Sequence, residues 1–464
     1  MRSCGRKVDV GYHSGQSELA ARSEHSAASN ALSVNEARAR ELLFDYLVVA
    51  ERGCRTSAAT SARRAADGSG NAVVEGTAER LPATEAALAN GIAAHAIELD
   101  DTYEHASLHP GVAIWPALLA VADERSLPLA DLLIAASAGY DAMCALGNRL
   151  DPSETYARGF HPTGVCGPIG AAVAVAHLMR LTPEQTGQAT GIAASMSSGL
   201  LEFIADGAWT KPLHAGHAAS SGIRAARLAA VGYTGPATAI EGSHGFLHAF
   251  GRRAGVPPGL SAGESMARTA VKRYSCCRYM HGCIDLLLEI ADEEDMQPGD
   301  VDAVRCGVLS AGWQLVADPP AAEQRIRGQV DAQFSMAFGA ALALTRRTAG
   351  LDDFERAGEL ARELEPLMRR VECFRSPRLD AAYPAAWGAE VEVRTRGGRV
   401  LTRAEDHFLG SPERPFTRDD LLAKASGLVG EPRAHALLQA CIETPPDAPV
   451  EALARGTWTY IPPR

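Results

Sequence analysis

Lysine is scarce in this chain of 464 residues: among 45 cationic side chains only Lys7, Lys211, Lys272 and Lys424 are lysines, and the rest are arginine. Where arginine is the default cation, a retained lysine points to something a guanidinium cannot do, such as giving up a proton when desolvated. Net positive charge is lacking as well. The formal charge of −11 leaves no basic surface for a phosphate backbone and argues against a nucleic-acid partner. Ten cysteines occur without a single CxxC pair, so they read as reduced thiols of an intracellular protein rather than a disulfide framework. The tightest group, Cys276, Cys277 and Cys283, fits no common zinc spacing. No apolar run reaches 18 residues, because Gly, Pro or His breaks the longest stretch over 163–179, and no membrane partner is expected. The first 30 residues carry Arg2, Arg6, Lys7, Glu18 and Glu24 without an apolar core, which argues against a secretory signal and for a cytoplasmic location. A Gly-rich phosphate fingerprint after a strand, a Walker sequence and HExxH are all missing.

What is present is helical texture on a globular composition, 46% hydrophobic against 22% charged. Leu42, Leu43, Tyr46, Leu47 and Val49 recur at helical spacing over 36–51. Thr84 is expected to cap a second helix running to Asp100. Further helices are expected over 131–148, 169–181 and 218–231, the 169–181 segment being almost wholly apolar and therefore buried. Thr182-Pro183-Glu184-Gln185 is a capping box with proline at the first helical position. After a Pro/Gly-rich stretch at 255–263 the pattern changes. Val301, Val304, Cys306 and Val308 suit a strand, 389–394 with Gly397-Gly398 and Val400-Leu401 suits a hairpin, and helices are expected over 279–292, 332–346 and 353–363. The expected fold is mainly α: a tail over 1–32, a large helical domain over 33–265, a smaller α+β lid domain over 266–405, and C-terminal helices over 406–464 returning to the first domain, with Thr417 capping one of them.

Ten of the 14 histidines lie between His95 and His281, several at Gly- or Pro-containing boundaries, which favours a site over a scatter. Four segments concentrate the chemistry. In His95-Ala-Ile-Glu-Leu-Asp-Asp-Thr102, Glu98, Asp101 and Thr102 are spaced to share a face at a helix end, with His109 held before Pro110. In Gly159-Phe160-His161-Pro162, the histidine stands at the mouth of an apolar helix. In Trp209-Thr210-Lys211-Pro212, the lysine precedes a proline and is expected in extended or turn conformation. In Lys272-Arg273-Tyr274-Ser275-Cys276-Cys277-Arg278-Tyr279-Met280-His281, three cations and a histidine open the α+β region, where a cleft between domains would receive them. Bases, fixed cations and carboxylates without a nucleotide signature suit proton abstraction next to a carboxylate. His177, inside the apolar helix, is expected to serve stability only, and Lys424 to lie on a surface helix where arginine would serve equally well.

These segments, in this order, resemble the MmgE/PrpD family over about residues 33–450. The matching stretches are HAIELDDT with its downstream His-Pro, GFHPTGVCGPIGAA, the run from GIAASMSSGLLEF through GAWTKPLHAGHAASSGIRAARLAAVGYTGP, EGSHGF, and KRYSCCRYMHGCID. The resemblance implies a large helical domain, a smaller α+β lid, a homodimer and cofactor-free chemistry on small di- or tricarboxylates. It places Glu98, Thr102, His109, His161, Lys211, Lys272 and His281 in the pocket. Relatives usually carry Asp where Glu98 stands, the loop from Thr102 to His109 is one residue longer than in the family's decarboxylase, and Phe338 stands where that enzyme has tyrosine.

The function this implies is a cofactor-independent lyase of the dehydratase type. His109 and His161 exchange protons with the substrate, Lys211 and Lys272 complete the catalytic set, Glu98 and Thr102 orient the base, and Arg278, His281 and Asp101 bind substrate. Decarboxylation of a cis-aconitate-like substrate or epimerisation of an iminodisuccinate-like one would be variants of the same carbanion chemistry. No metal is expected. Two rivals remain open from the residues alone. A zinc hydrolase would use the pairs His105 and His109, His214 and His217, or His244 and His248; a carboxylate-binding protein without turnover would keep the same residues.

Overall fold

A computed structural model describes residues 32–251, 261–321 and 323–456; the expected tail lies outside them apart from Leu32. The chain is mainly α-helical. In chain order the longer helices of the first part are α1 (Leu32–Gly53), α2 (Ala83–His95), α3 (Gly111–Asp123), α4 (Leu129–Gly147), α5 (Pro162–Leu178), α6 (Pro183–Ala194) and α7 (Thr210–Ala230). The longest of the later ones are α8 (Arg278–Glu293), α9 (Met336–Arg346), α10 (Ala357–Met368), α11 (Arg418–Val429) and α12 (Glu431–Glu443).

Helix α7 is the hub of the first part, packing on α2, α3, α5 and α6. Small residues make this possible: a Cβ on Gly91 would lie 2.7 Å from the Gly216 Cα, and one on Gly222 would lie 2.4 Å from the Ala171 Cβ, so these backbones meet only because both positions are glycine. Helices α11 and α12 pack on α1, and Leu421, Ala425, Leu437 and Cys441 join the same apolar cluster as Leu43, Trp115 and Ile169. Helix α4 is long and apolar enough to cross a membrane by length and composition, and most of it is buried, packed along α5.

A second apolar cluster is built on a four-stranded sheet of β3 (Val301–Val308), β4 (Val371–Arg375), β5 (Ala389–Thr395) and β6 (Val400–Glu405), ordered β4-β3-β5-β6. Strands β3 and β4 are parallel; the other pairs are antiparallel. In β5, Ala389, Val391 and Val393 alternate inward, as a half-buried strand requires, and α8 packs on β5 and β6. Two shorter strands, β1 (Thr102–Tyr103) and β2 (Thr269–Ala270), pair antiparallel in the register Thr102 with Ala270.

Several expected boundaries move. Thr84 is not a cap: α2 begins one residue earlier, and the carbonyl of Pro82 takes the first amides, from Glu85 and Ala86. The helix stops at His95 instead of Asp100. The apolar helix α5 starts at Pro162, not near 169, with His161 as its N-cap. Lys211 lies inside α7 although it precedes a proline, because Pro212 falls in the first turn, where a missing N–H costs nothing. The helix expected over 332–346 breaks at Ser335, whose hydroxyl caps α9 by accepting from the Phe338 amide at 3.0 Å.

Candidate active site

The site is assembled on the irregular segment that follows α2. Glu98 adopts φ 54°, a left-handed conformation that few residues with a Cβ take up, and it turns the chain away from the helix axis. Its carboxylate is then shared by two lysines: Lys211 bonds Oε1, and Lys272 Nζ lies 2.9 Å from Oε2. Lys211 comes from the first turn of α7. Lys272 arrives two residues after β2, which the Thr102–Ala270 pairing sets against the Glu98 segment. All three are buried. Burial alone would raise the Glu98 pKa, but the two ammonium groups outweigh it and hold the carboxyl well below the usual range. Burial opposes charge on Lys272 too, and there Glu98 prevails and raises its pKa.

Asp100 forms the second anchor. Its Oδ2 accepts from His95 Nδ1 at 2.9 Å and lies 3.0 Å from His109 Nδ1. The remaining neighbours of that His109 nitrogen are the Asp101 carbonyl at 2.9 Å and Thr102 Oγ1 at 3.3 Å. A carbonyl and a carboxylate only accept, so His109 carries its proton on Nδ1 and presents Nε2 as a lone-pair nitrogen. Burial pushes the His109 pKa down to about 4. His161 and His214 share a contact between their Nδ1 atoms at 3.2 Å. Burial, then the charge of Lys211, keeps His161 well below its ordinary value, and burial takes His214 down to about 3. The rings of His109 and His161 are 6.2 Å apart between centroids. The centre therefore holds three imidazoles kept neutral by burial, His109, His161 and His214, beside a buried Glu-Lys-Lys set.

A cavity opens on this centre, with space for the centres of water-sized molecules in only about 30 Å³. Glu98, Thr102, Ser107, His109, His161, Lys211 and Arg278 belong to its polar lining. Its other walls include Tyr156, Leu201, Phe203, Tyr279, Phe334 and Trp387. A wider outer basin, about 470 Å³ by the same measure, shares Glu98, Lys211 and Phe334 with the inner one and runs out between Arg55 and Arg327.

The structure thus brings six of the expected residues to one cavity and corrects others. Lys272 is wholly buried behind Glu98 and does not line the space. Asp101 faces away from it: its carboxylate accepts from the Gly111 amide at 2.9 Å and from Tyr140 Oη at 2.6 Å, and burial raises its pKa to about 7. The helical spacing used to place Asp101 beside Glu98 failed because α2 had already ended. His281 is buried behind Arg278, whose Nη1 donates to its Nδ1 at 3.4 Å, while His281 Nε2 donates to the Cys276 carbonyl at 3.3 Å. Phe338 packs on Phe354 inside the second cluster and does not line the cavity, which Phe334 does. Lys424 is not a surface residue, since its Nζ is bonded to Asp45 Oδ1 at 2.6 Å and to the Leu99 carbonyl at 2.8 Å. His177 is half-buried at the end of α5.

Sequence reasoning missed His95, Asp100, His214 and Trp387 as parts of the site. Asp100 stands between two residues that were selected, and only the break of α2 at His95 decides which of the adjacent aspartates turns inward. Among the described residues, one ring nitrogen each from His95, His109 and His161 lies within 4.8 Å of the other two, a set able to hold a metal ion. The pairs weighed for zinc are not assembled in this way. His214 faces His161, whereas His217 is turned toward the Met196 carbonyl at 3.2 Å, and His244 contacts Ser243 on the surface.

Residues 19–257 match the description MmgE/PrpD N-terminal domain, and residues 274–443 match MmgE/PrpD C-terminal domain. The chain is 26% identical over 423 residues to a cis-aconitate decarboxylase of Aspergillus terreus, covering 85% of this chain and 84% of that protein. It is 27% identical over 360 residues to the cis-aconitate decarboxylase of Homo sapiens, covering 74% and 72%. A cis-aconitate decarboxylase-like protein of Aspergillus oryzae is 26% identical over 446 residues, with 90% and 91% covered.

Proposed function

This chain belongs to the MmgE/PrpD family, and from that premise we propose that it is a cofactor-independent lyase that removes a proton next to a carboxylate and expels a hydroxyl group. The observation that carries this reading is the fixed tautomer of His109. Asp100 and the Asp101 carbonyl hold the proton on Nδ1, so Nε2 is a base before substrate arrives. A pKa near 4 makes the imidazolium it becomes a strong acid, ready to pass the proton on.

The steps balance within the protein. His109 Nε2 takes the α-hydrogen, and the C–H electrons move into the adjacent carboxylate, whose growing charge lies beside the Lys211 ammonium. These electrons return to form the C=C bond as the β-hydroxyl leaves, protonated by the His109 imidazolium. His161 hydrogen-bonds the departing oxygen. Lys272 keeps Glu98 charged and in place, so that Lys211 meets the substrate from one position.

Decarboxylation is the second reading, and the named relatives favour it. There the C–C bond breaks, CO2 leaves with no electrons from that bond, and the carbanion takes a proton. Proton NMR in D2O with hydroxylated and unsaturated carboxylates, together with trapping of released CO2, separates the two. Loss of water with deuterium exchange at the α-carbon is expected; CO2 release without exchange would replace dehydration by decarboxylation, and neither event with any carboxylate would remove the lyase reading.

A further inference from the structure

The lining of the cavity carries two buried nitrogen donors without a hydrogen-bond partner, Arg278 Nη2 and Trp387 Nε1. Both residues line the cavity and are nearly inaccessible, at 2% and 4% exposed. The rest of Arg278 is fixed: Nε donates to Glu104 Oε1 at 2.7 Å, Nη1 reaches His281, and the guanidinium lies over the Phe408 ring at 4.3 Å. Trp387 is held by Tyr279, the residue next to Arg278, with the rings stacked 4.2 Å apart. Buried donors in native proteins rarely go without a partner from protein, water or ligand, and a guanidinium edge and an indole N–H on the lining of one cavity suit a carboxylate.

The cation inventory limits how many carboxylates can be met. Only Lys211 and Arg278 line the inner cavity as cations among the described residues; Lys272 is sealed behind Glu98. Tyr156, Leu201, Phe203, Leu315 and Phe334 supply side wall without charge, which is costly for a third ionised group to face.

We propose that Arg278 and Trp387 form a distal carboxylate subsite, and that the substrate is a dicarboxylate whose remaining substituent is apolar, with tricarboxylates disfavoured. This rests on the reading of the site as a carboxylate lyase, in which Lys211 meets the reacting carboxylate. The relatives named for cis-aconitate decarboxylation carry in their name a molecule with one carboxylate more.

Binding is tested apart from turnover, by calorimetric titration of the full chain with two unreactive probes, 2-methylsuccinate and tricarballylate. The dicarboxylate is expected to bind at least about tenfold more tightly. Trp387→Phe keeps the stacking ring and removes only the N–H, so it is expected to weaken 2-methylsuccinate about tenfold, the loss of one hydrogen bond to a charged acceptor. It should leave butanoate, which lacks the distal carboxylate, unchanged. Equal or tighter binding of tricarballylate, an unchanged Trp387→Phe titration, or no binding of either probe would overturn the proposal. Trp387-dependent binding without turnover of any carboxylate would instead overturn the lyase reading and leave the subsite standing.

Discussion

The two walls of the cleft differ in what they leave unpaired: on the helical side Asp100 Oδ1, an acceptor, and His95 Nε2, and on the α+β side two nitrogen donors. On the helical side the groups assigned to proton chemistry are already engaged: Asp100 backs His109, and Glu98 holds both Lys211 and Lys272. On the α+β side Arg278 Nη2 and Trp387 Nε1 are left open. A base needs a fixed tautomer and a tuned environment before substrate arrives, so its partners belong to the protein. A recognition group needs free valence, which costs stability until the ligand supplies the missing acceptor. The helical wall is built for reaction and the α+β wall for selection.

The largest expected effect tests that division directly. His109→Gln should lower kcat about 10²–10⁴-fold, the range of a general acid–base step, with KM little changed, whereas Trp387→Phe should act through KM. Steady-state kinetics on one substrate reads both, and a His109 variant that changed only KM would merge the two walls into one binding surface. The pH profile sharpens the same point. His109 works only when neutral, and burial puts its folded pKa at about 4. The acid limb of kcat/KM should therefore fall near pH 4, below the ordinary histidine value of about 6.5. A limb at the ordinary value would mean that another group is the base.

Next in size is Lys424, which belongs to the helical wall although it lies far from it in sequence. Lys424→Met keeps the length of the side chain and leaves Asp45 buried without its cation, and removing one member of a buried pair costs about 3–5 kcal/mol. Denaturant unfolding should show that loss. Activity should fall too, because the lost bond to the Leu99 carbonyl frees the segment that carries Glu98 and Asp100. Unaltered stability would return Lys424 to the surface role its sequence position suggested.

Lys424 also marks what could be read in advance. The rarity of lysine in an arginine-rich chain selected Lys211 and Lys272, and the same observation applied to Lys424, which was set aside because it was expected on a surface helix. Its buried partner Asp45 is 379 positions away, a separation that no local periodicity reveals. Most long helices, the strand at 301–308 and the hairpin were legible because each repeats its own apolar spacing. The capping box at Thr182 was legible because both of its hydrogen bonds are local. Asp100, Asp101 and Trp387 were not legible in their roles. The choice between the two aspartates depends on where α2 stops, and Trp387 reaches the cavity through a loop whose course is set by packing against Tyr279, more than 100 residues earlier in the chain.

Lys272→Arg is expected to have a smaller effect, roughly tenfold in kcat/KM. The charge persists, but a planar fork must enter a space filled by an ammonium with no exposure. The effect should pass through Glu98 to Lys211 because Lys272 does not line the cavity. A drop confined to KM would indicate direct contact with substrate and would place a third cation on the reacting side.

The smallest effect belongs to His177, at the far end of the helix that begins beside His161. A cationic histidine would be favoured at a helix C-terminus, yet burial outweighs this and the charge of Asp131, and its pKa is lowered. The unfolded chain then binds a proton more readily than the folded one. The stability that the neutral ring supports is complete above the unfolded value of about 6.5 and is lost as the pH falls below it. His177→Ala removes a half-buried ring and should cost roughly 1 kcal/mol or less at pH 8. The difference between variant and wild type should narrow at pH 5, because the variant has no group there to protonate. kcat and KM should not move at either pH. A change in kcat would show that the length of α5 transmits strain to His161, and would carry the reacting wall well beyond the residues that touch the cavity.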